Sequence, residues 1–251
     1  MSDSPALPPA ESTPALSQWE RLIDTFIAPA KTFADIRRSP SWWMPWLVAS
    51  IVGLAFVFAV GHQVGWSQVV QNAIHQNPKA MAKLQALGPG QADAAIQMQT
   101  KITSMTVYFV PVGLLIVALL GAAILWLTVN FLFGGQARFS EMYAVWFYAT
   151  LPLALTSLLA IITLFAGIDP SSFNMQNPVG TNLGFYLSSD SAPWLINLLK
   201  SLDVLKIWTA ILLTIGCAKV GKIKISSAAV AVFGWWILGI LVSTGFIAIM
   251  G

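Results

Sequence analysis

The chain has 251 residues, 57% of them hydrophobic and only 9% charged, whereas soluble domains carry about 25% charged residues. A water-soluble fold of this size cannot hide that much apolar surface, so composition excludes the soluble classes and leaves an integral membrane protein. The formal net charge is only +3, with its positives beside membrane ends, which points to topology and anionic-lipid contact and away from nucleic acid.

Residues 1–18 (MSDSPALPPAESTPALSQ) hold four prolines, no basic residue and no sustained apolar run. They lack the positive start and apolar core of a signal peptide and are expected to be a disordered tail. Residues 19–41 follow as a separate segment. Trp19, Leu22, Ile23, Phe26, Ile27, Ala30, Phe33 and Ala34 recur at helical spacing and make one apolar stripe. Glu20, Arg21, Asp24, Lys31, Asp35 and Arg38 fall largely off that stripe. Pro29 divides the segment into two short helices. The pattern predicts an amphipathic segment lying in the interface plane on the cytoplasmic side, stripe towards lipid and basic residues near phosphates. Ser39 and Pro40 end it, Ser41 is placed to cap the next helix, and Trp42, Trp43 and Trp46 suit headgroup depth. Phe26, Pro29, Phe33, Arg37, Arg38, Trp42 and Trp43 are therefore the candidate surface for docking on the membrane or on a partner.

Residues 42–251 contain five runs of the roughly 20 apolar residues that a membrane span needs. They fall at about 44–64, 106–133, 143–167, 202–220 and 226–250. In lipid each must be helical, because backbone groups find partners only within their own segment. The fold class is thus all-α, a polytopic membrane protein of five transmembrane helices preceded by the amphipathic segment. Arg21, Lys31, Arg37, Arg38, Arg138, Lys219, Lys222 and Lys224 lie on one side of these spans. The other side has Lys79, Lys83 and Lys101 in its first loop and no basic residue from 168 to 194. The positive-inside rule then predicts a cytoplasmic N-terminus and a C-terminus on the far side.

Between the first two spans, Asn77-Pro78 and Gly88-Pro89-Gly90 punctuate a Gln- and Ala-rich loop. Short helices are expected at 67–76 and 78–87, then a helix from about 91 running into the second span. Pro111 and Pro152 can bend their helices and free carbonyls for neighbours. Asn130, Tyr148 and Thr150 can bond between helices. Lys200, Asp203 and Lys206, spaced by three, fall on roughly one helical face, with Asp203 expected at the outer interface. Buried ionisable groups in a membrane often serve function, so these three, with Tyr148 and Pro152, are the candidate polar residues. Cys217 is the single cysteine, read as a packing residue. His62 and His75 have no second histidine at ligand spacing, so no metal and no other cofactor is expected. No catalytic motif is present.

Three stretches carry a family resemblance. FIAPAKTFADIRRSPSWWMPW (26–46) resembles the opening of bacterial members of the Yip-one family, relatives of the eukaryotic Ypt/Rab-interacting proteins. FGGQARFSEMYAVWFYATLPLAL (133–155) is similar to that family's Gly-rich turn with a tyrosine and a proline in the third span. SLDVLKIWTAILLTIGCAKVGKIKISSAAVAV (201–232) resembles its Leu-Asp…Trp fourth span, basic turn and Ser/Ala start of the last helix. The eukaryotic Asp-Leu-Tyr-Gly-Pro signature is absent, with only Phe26 and Pro29 matching its aromatic-then-proline pattern. The resemblance implies a five-helix membrane protein whose bacterial members have no settled activity; the leading reading, supported mainly by it, is a non-enzymatic adaptor or organiser in a bacterial inner membrane, in contact with the lipid bilayer and with a membrane-protein partner or a second copy of itself. The alternative reading is a small-solute or ion transporter or channel subunit using Asp203 and Lys206.

Overall fold

A computed structural model gives the architecture; the residues described are 15–188 and 191–250. Most of the expected tail, 1–14, and the C-terminal Gly251 lie outside the described residues. Twelve α-helices are present among the described ones. Two short ones come first, α1 (Gln18–Ile27) and α2 (Pro29–Arg38), split at Ala28 because Pro29 has no N–H to continue α1. The first span is α3 (Trp43–Gln63). It starts one residue beyond Trp42 without a side-chain cap, so Ser41 does not play the capping role expected of it.

The loop helices are α4 (Trp66–His75), α5 (Pro78–Gln85) and α6 (Pro89–Thr106). Asn77 caps α5 by accepting from the N–H groups of Lys79 and Ala80 at 3.1 Å. Through a 3-10 turn at Val107–Phe109, α6 runs on into α7 (Val110–Leu127), and a π-helical turn at Thr128–Leu132 ends the rod. This Pro89–Leu132 rod has 44 residues, about 66 Å of helix. Its apolar part is α7, without a charged residue, whereas α6 is rich in Gln, Thr and Ser and carries Asp93 and Lys101.

The third span is α8 (Phe139–Ala149) and α9 (Leu151–Phe165), broken at Thr150 where Pro152 takes a first-turn position. After a turn-rich loop, α10 (Pro193–Ser201) leads to the fourth span, α11 (Val204–Gly221), and the fifth, α12 (Ile225–Met250). Five helices or rods are long and apolar enough to span a membrane.

The core forms around α8, whose Met142, Ala144, Val145, Tyr148 and Ala149 are fully buried. It packs against α7 and α11 and is closed by α1 and α2. Small residues set the closest approaches. A Cβ on Gly121 would lie 2.0 Å from the Trp146 ring, and one on Gly53 2.8 Å from Val110. A Cβ on Gly239 would meet nothing within 4 Å. A second, smaller core of Ala59, Val60, Val69, Leu164 and Phe173 sits at the opposite end of the bundle from the basic residues. There Asn72 Nδ2 donates to the carbonyls of Pro170 and Phe173 at 2.8 and 2.9 Å, tying α4 to the third-to-fourth loop.

Candidate functional site

The N-terminal hairpin is the first candidate. Ser17 and Glu20 start α1 with a reciprocal cap: Glu20 N–H donates to Ser17 Oγ at 3.2 Å, and Ser17 N–H to Glu20 Oε2 at 2.7 Å. These bonds hold the Glu20 carboxyl below its ordinary value. One turn on, Arg21 is 2% exposed. Its Nε donates to Asp35 Oδ2 at 2.7 Å, a second guanidinium nitrogen lies 2.6 Å from the same oxygen, and Nη1 donates to the Ser39 carbonyl at 3.0 Å. Arg38 also pairs with Asp35. The hydroxyls of Thr25 and Thr32 donate to the Arg21 carbonyl at 2.7 and 3.3 Å. A buried charge is tolerable only when paired and fully hydrogen-bonded, and this pair crosses from α1 to α2. At the rim, Lys31 Nζ lies 2.8 Å from Asp24.

The apolar stripe is divided. Phe33 and Ile36 are fully buried, Phe33 against Val145 and Gly216, while Phe26 meets the Trp208 ring edge-on at 5.4 Å. Gly216 and Trp208 are eight residues apart on α11, about 12 Å, so the hairpin extends lengthwise along this span. Trp19, Ile23 and Ile27 face outward at 65%, 58% and 74% exposure. The uniform lipid-facing stripe expected for Trp19–Arg38 is therefore replaced by a hairpin packed on the bundle. Arg21, Asp24 and Asp35, expected among the off-stripe charges, are buried. The reason is mutual neutralisation: each helix alone exposes a charge, and the pair buries both.

Of the other docking residues, Pro29 starts α2, and the Arg37 carbonyl accepts from Arg138 Nη2 at 2.9 Å. Trp42 is partly buried in an aromatic cluster, 5.3 Å from Tyr143 and 5.7 Å from Phe147. Trp46 Nε1 donates to the Pro111 carbonyl at 3.0 Å. Trp43 does face outward. Tyr148 Oη donates to Gln18 Oε1 at 3.1 Å, joining α8 to the hairpin. Thr150 bonds only within its own turn, and Asn130 serves the Ala137 backbone.

The second candidate lies at the opposite end. Lys200, Asp203 and Lys206 do not share one helical face, because the chain breaks at Leu202 between α10 and α11. Asp203 is not an exposed interfacial acid but 5% exposed. Its Oδ1 accepts from the N–H groups of Leu205 and Lys206 at 2.8 and 3.2 Å, capping α11. Its Oδ2 accepts from Thr181 Oγ1 at 2.6 Å and Asn182 Nδ2 at 3.5 Å. An N-cap carboxylate satisfies amides left free by the helix start, and that role ended the continuous helix implied by the three-residue spacing. Lys206 Nζ donates to the Lys200 carbonyl at 3.2 Å, not to Asp203.

The partners of these groups escape sequence reading: Arg21 with Asp35 across a proline break, Phe33 with Gly216, Asp203 with Thr181 and Asn182. A glycine midway along the fourth span was the one visible signal. Among the described residues, no group of three or more His, Cys, Asp or Glu that could hold a metal comes together.

Comparison with known proteins gives one family result. The model described as the Yip1 domain matches residues 23–247. No curated protein and no solved structure matches.

Proposed function

Because the chain belongs to the Yip1 domain family, and is a multi-pass membrane protein with five candidate spans, we propose that it is a non-enzymatic membrane adaptor. Its working surface is the N-terminal hairpin. The supporting observation is the outward ridge of Trp19, Ile23 and Ile27, held by a hairpin whose Arg21 and Asp35 are turned inward and paired. Residues four apart stack on one helix face, so the ridge is a narrow seam about 12 Å long. A seam of that kind suits lateral packing with one apolar helix of another membrane protein. The residues at its base, Lys31, Arg37 and Arg38, sit with Arg138, Lys219, Lys222 and Lys224 at the basic end of the bundle. That end is cytoplasmic in this reading, in a bacterial inner membrane, with the C-terminus on the far side.

A photoreactive residue at Ile23 of the full chain, activated in native membranes, tests the proposal. A discrete protein adduct is expected, and it should disappear when Trp19→Glu and Ile27→Glu are added. Adducts to lipid alone would overturn the adaptor reading and leave the hairpin as an anchor.

A further inference from the structure

Asp203, Lys200 and Lys206 line a cavity of about 270 Å3 between α9, the third-to-fourth loop, α10 and α11. We propose that this cavity is a binding site for a small anionic group, a phosphate or a carboxylate, held between the two lysine ammoniums.

Charge supports this first. The one acid of the lining is already committed: both oxygens of Asp203 accept two hydrogen bonds each, from the α11 amides and from Thr181 and Asn182. Neither lysine forms an ion pair with an acid among the described residues. The cavity therefore carries two cations against one fully bonded anion, an excess of one positive charge. Lys206 Nζ spends one donor on the Lys200 carbonyl and keeps the others.

Position supports it next. Lys200 is partly buried, and burial, reinforced by the like charge of Lys206, pushes its ammonium below the ordinary lysine value. A cation held in such a place without a counter-charge is unfavourable, and a bound anion would relieve it. Neutral polar groups add to the wall: Asn177, Ser201 and Thr156. Asn177 Oδ1 accepts from Asn182 Nδ2 at 2.7 Å. Its own Nδ2 has no partner among the described residues and is left for a ligand.

The walls are fixed. The loop is pinned to the start of α11 by Val204 N–H donating to the Thr181 carbonyl at 3.1 Å. It is pressed against α10 at Gly184, where a Cβ would lie 2.7 Å from the backbone nitrogen of Lys200. Asn197 of α10 donates to Ser243 Oγ and Thr244 Oγ1 of α12 at 3.1 and 3.0 Å. The two lysines are thus set by three elements of the fold, unlike a solvated pair on one helix. A divalent metal is disfavoured by the positive excess. The chemistry is the same whether the anion is free in solution or the headgroup of an anionic lipid.

The test uses the full chain in nanodiscs. In zwitterionic phosphatidylcholine, inorganic phosphate and acetate are titrated against chloride at constant ionic strength, with thermal stability as readout. In parallel, phosphatidylglycerol replaces part of the lipid. Saturable stabilisation by the free anions marks a soluble ligand, and stabilisation by phosphatidylglycerol alone marks a headgroup. Either supports the proposal if Lys206→Gln, an exposed position that the fold tolerates, weakens it tenfold or more. Lys200→Gln should likewise abolish the response while raising stability in chloride, since it removes a partly buried cation. No stabilisation by either source, or stabilisation unchanged in Lys206→Gln, would overturn it.

Discussion

Replacing Asp35 by asparagine keeps the side-chain shape and removes the carboxylate that Arg21 faces. In the parent, two Arg21 nitrogens approach Asp35 Oδ2 at 2.7 and 2.6 Å, and both side chains are buried. The substitution leaves Arg21 only neutral acceptors, the new amide oxygen and the Ser39 carbonyl at 3.0 Å. Removing one partner of a buried pair costs roughly 3–5 kcal/mol. Opposing this are Phe33 and Ile36, both fully buried. Burial of such side chains from water contributes about 1.5–3 kcal/mol each, and less where the alternative is lipid. The loss therefore matches or exceeds the apolar attachment of α2, and the hairpin should open while the five spans stay packed. Cys217 is a native reporter: it is fully buried in α11, next to the Gly216 on which Phe33 rests. A maleimide should label it slowly in the parent. At about 1.4 kcal/mol per tenfold, Asp35→Asn should raise the labelling rate on the order of 10²-fold or more, if labelling follows the open population. Arg21→Met combined with Asp35→Leu strands no charge and should recover most of the protection. Unchanged labelling in Asp35→Asn, or faster labelling in the double variant than in the single, would refute the buried pair as the hairpin's lock.

Four further outcomes are expected. Gly216→Ala places a Cβ 2.4 Å from Val145 and 3.3 Å from Phe33, so melting in detergent should show a loss of roughly 1–3 kcal/mol; Gly234→Ala, with nothing within 4 Å, serves as the silent control. Asp203→Asn retains an acceptor for the α11 amides but turns an N–H2 group or loses charge towards Thr181 and Asn182, so a loss of roughly 1–3 kcal/mol is expected, with Asp203→Ala worse; equal melting temperatures for all three proteins would contradict the cap. The Glu20 carboxyl titrates below 4.5 in the fold, so its cap is fully present above that value and is lost as pH falls through the lower folded one. Protection of the amides of residues 17–21, taken relative to their intrinsic exchange, should therefore hold above pH 4.5 and fall below it, and Glu20→Gln should remove that dependence. A reporter active only in the cytoplasm should work when fused at Gly135 and fail after Gly251; the reverse would invert the proposed orientation.

Composition and periodicity alone determined the class and the spans. Long uncharged runs can only be helices in lipid, and proline placed the breaks at Ala28 and Thr150, because a missing N–H acts locally. The start of α5 after Asn77 and the entry of α6 into the second span were legible too, from the Asn77-Pro78 and Gly88-Pro89-Gly90 punctuation. The family was likewise in the sequence: three stretches carry the resemblance, and the family model matches residues 23–247. Partnership was not legible. The stripe from Trp19 to Ala34 shows that one face of the hairpin is apolar but not which part meets lipid and which meets α11. That division depends on Gly216, far along the chain, leaving room for Phe33. Arg21 and Asp35 look like solvated charges on two separate amphipathic helices. Only the antiparallel packing of α1 on α2 brings them within 2.6 Å, and in a place without water each becomes the other's best partner. Asp203 teaches the same lesson locally: its three-residue spacing to two lysines suggested one shared helical face, yet the free amides of the α11 start, two and three residues away, compete for its carboxylate and hold it.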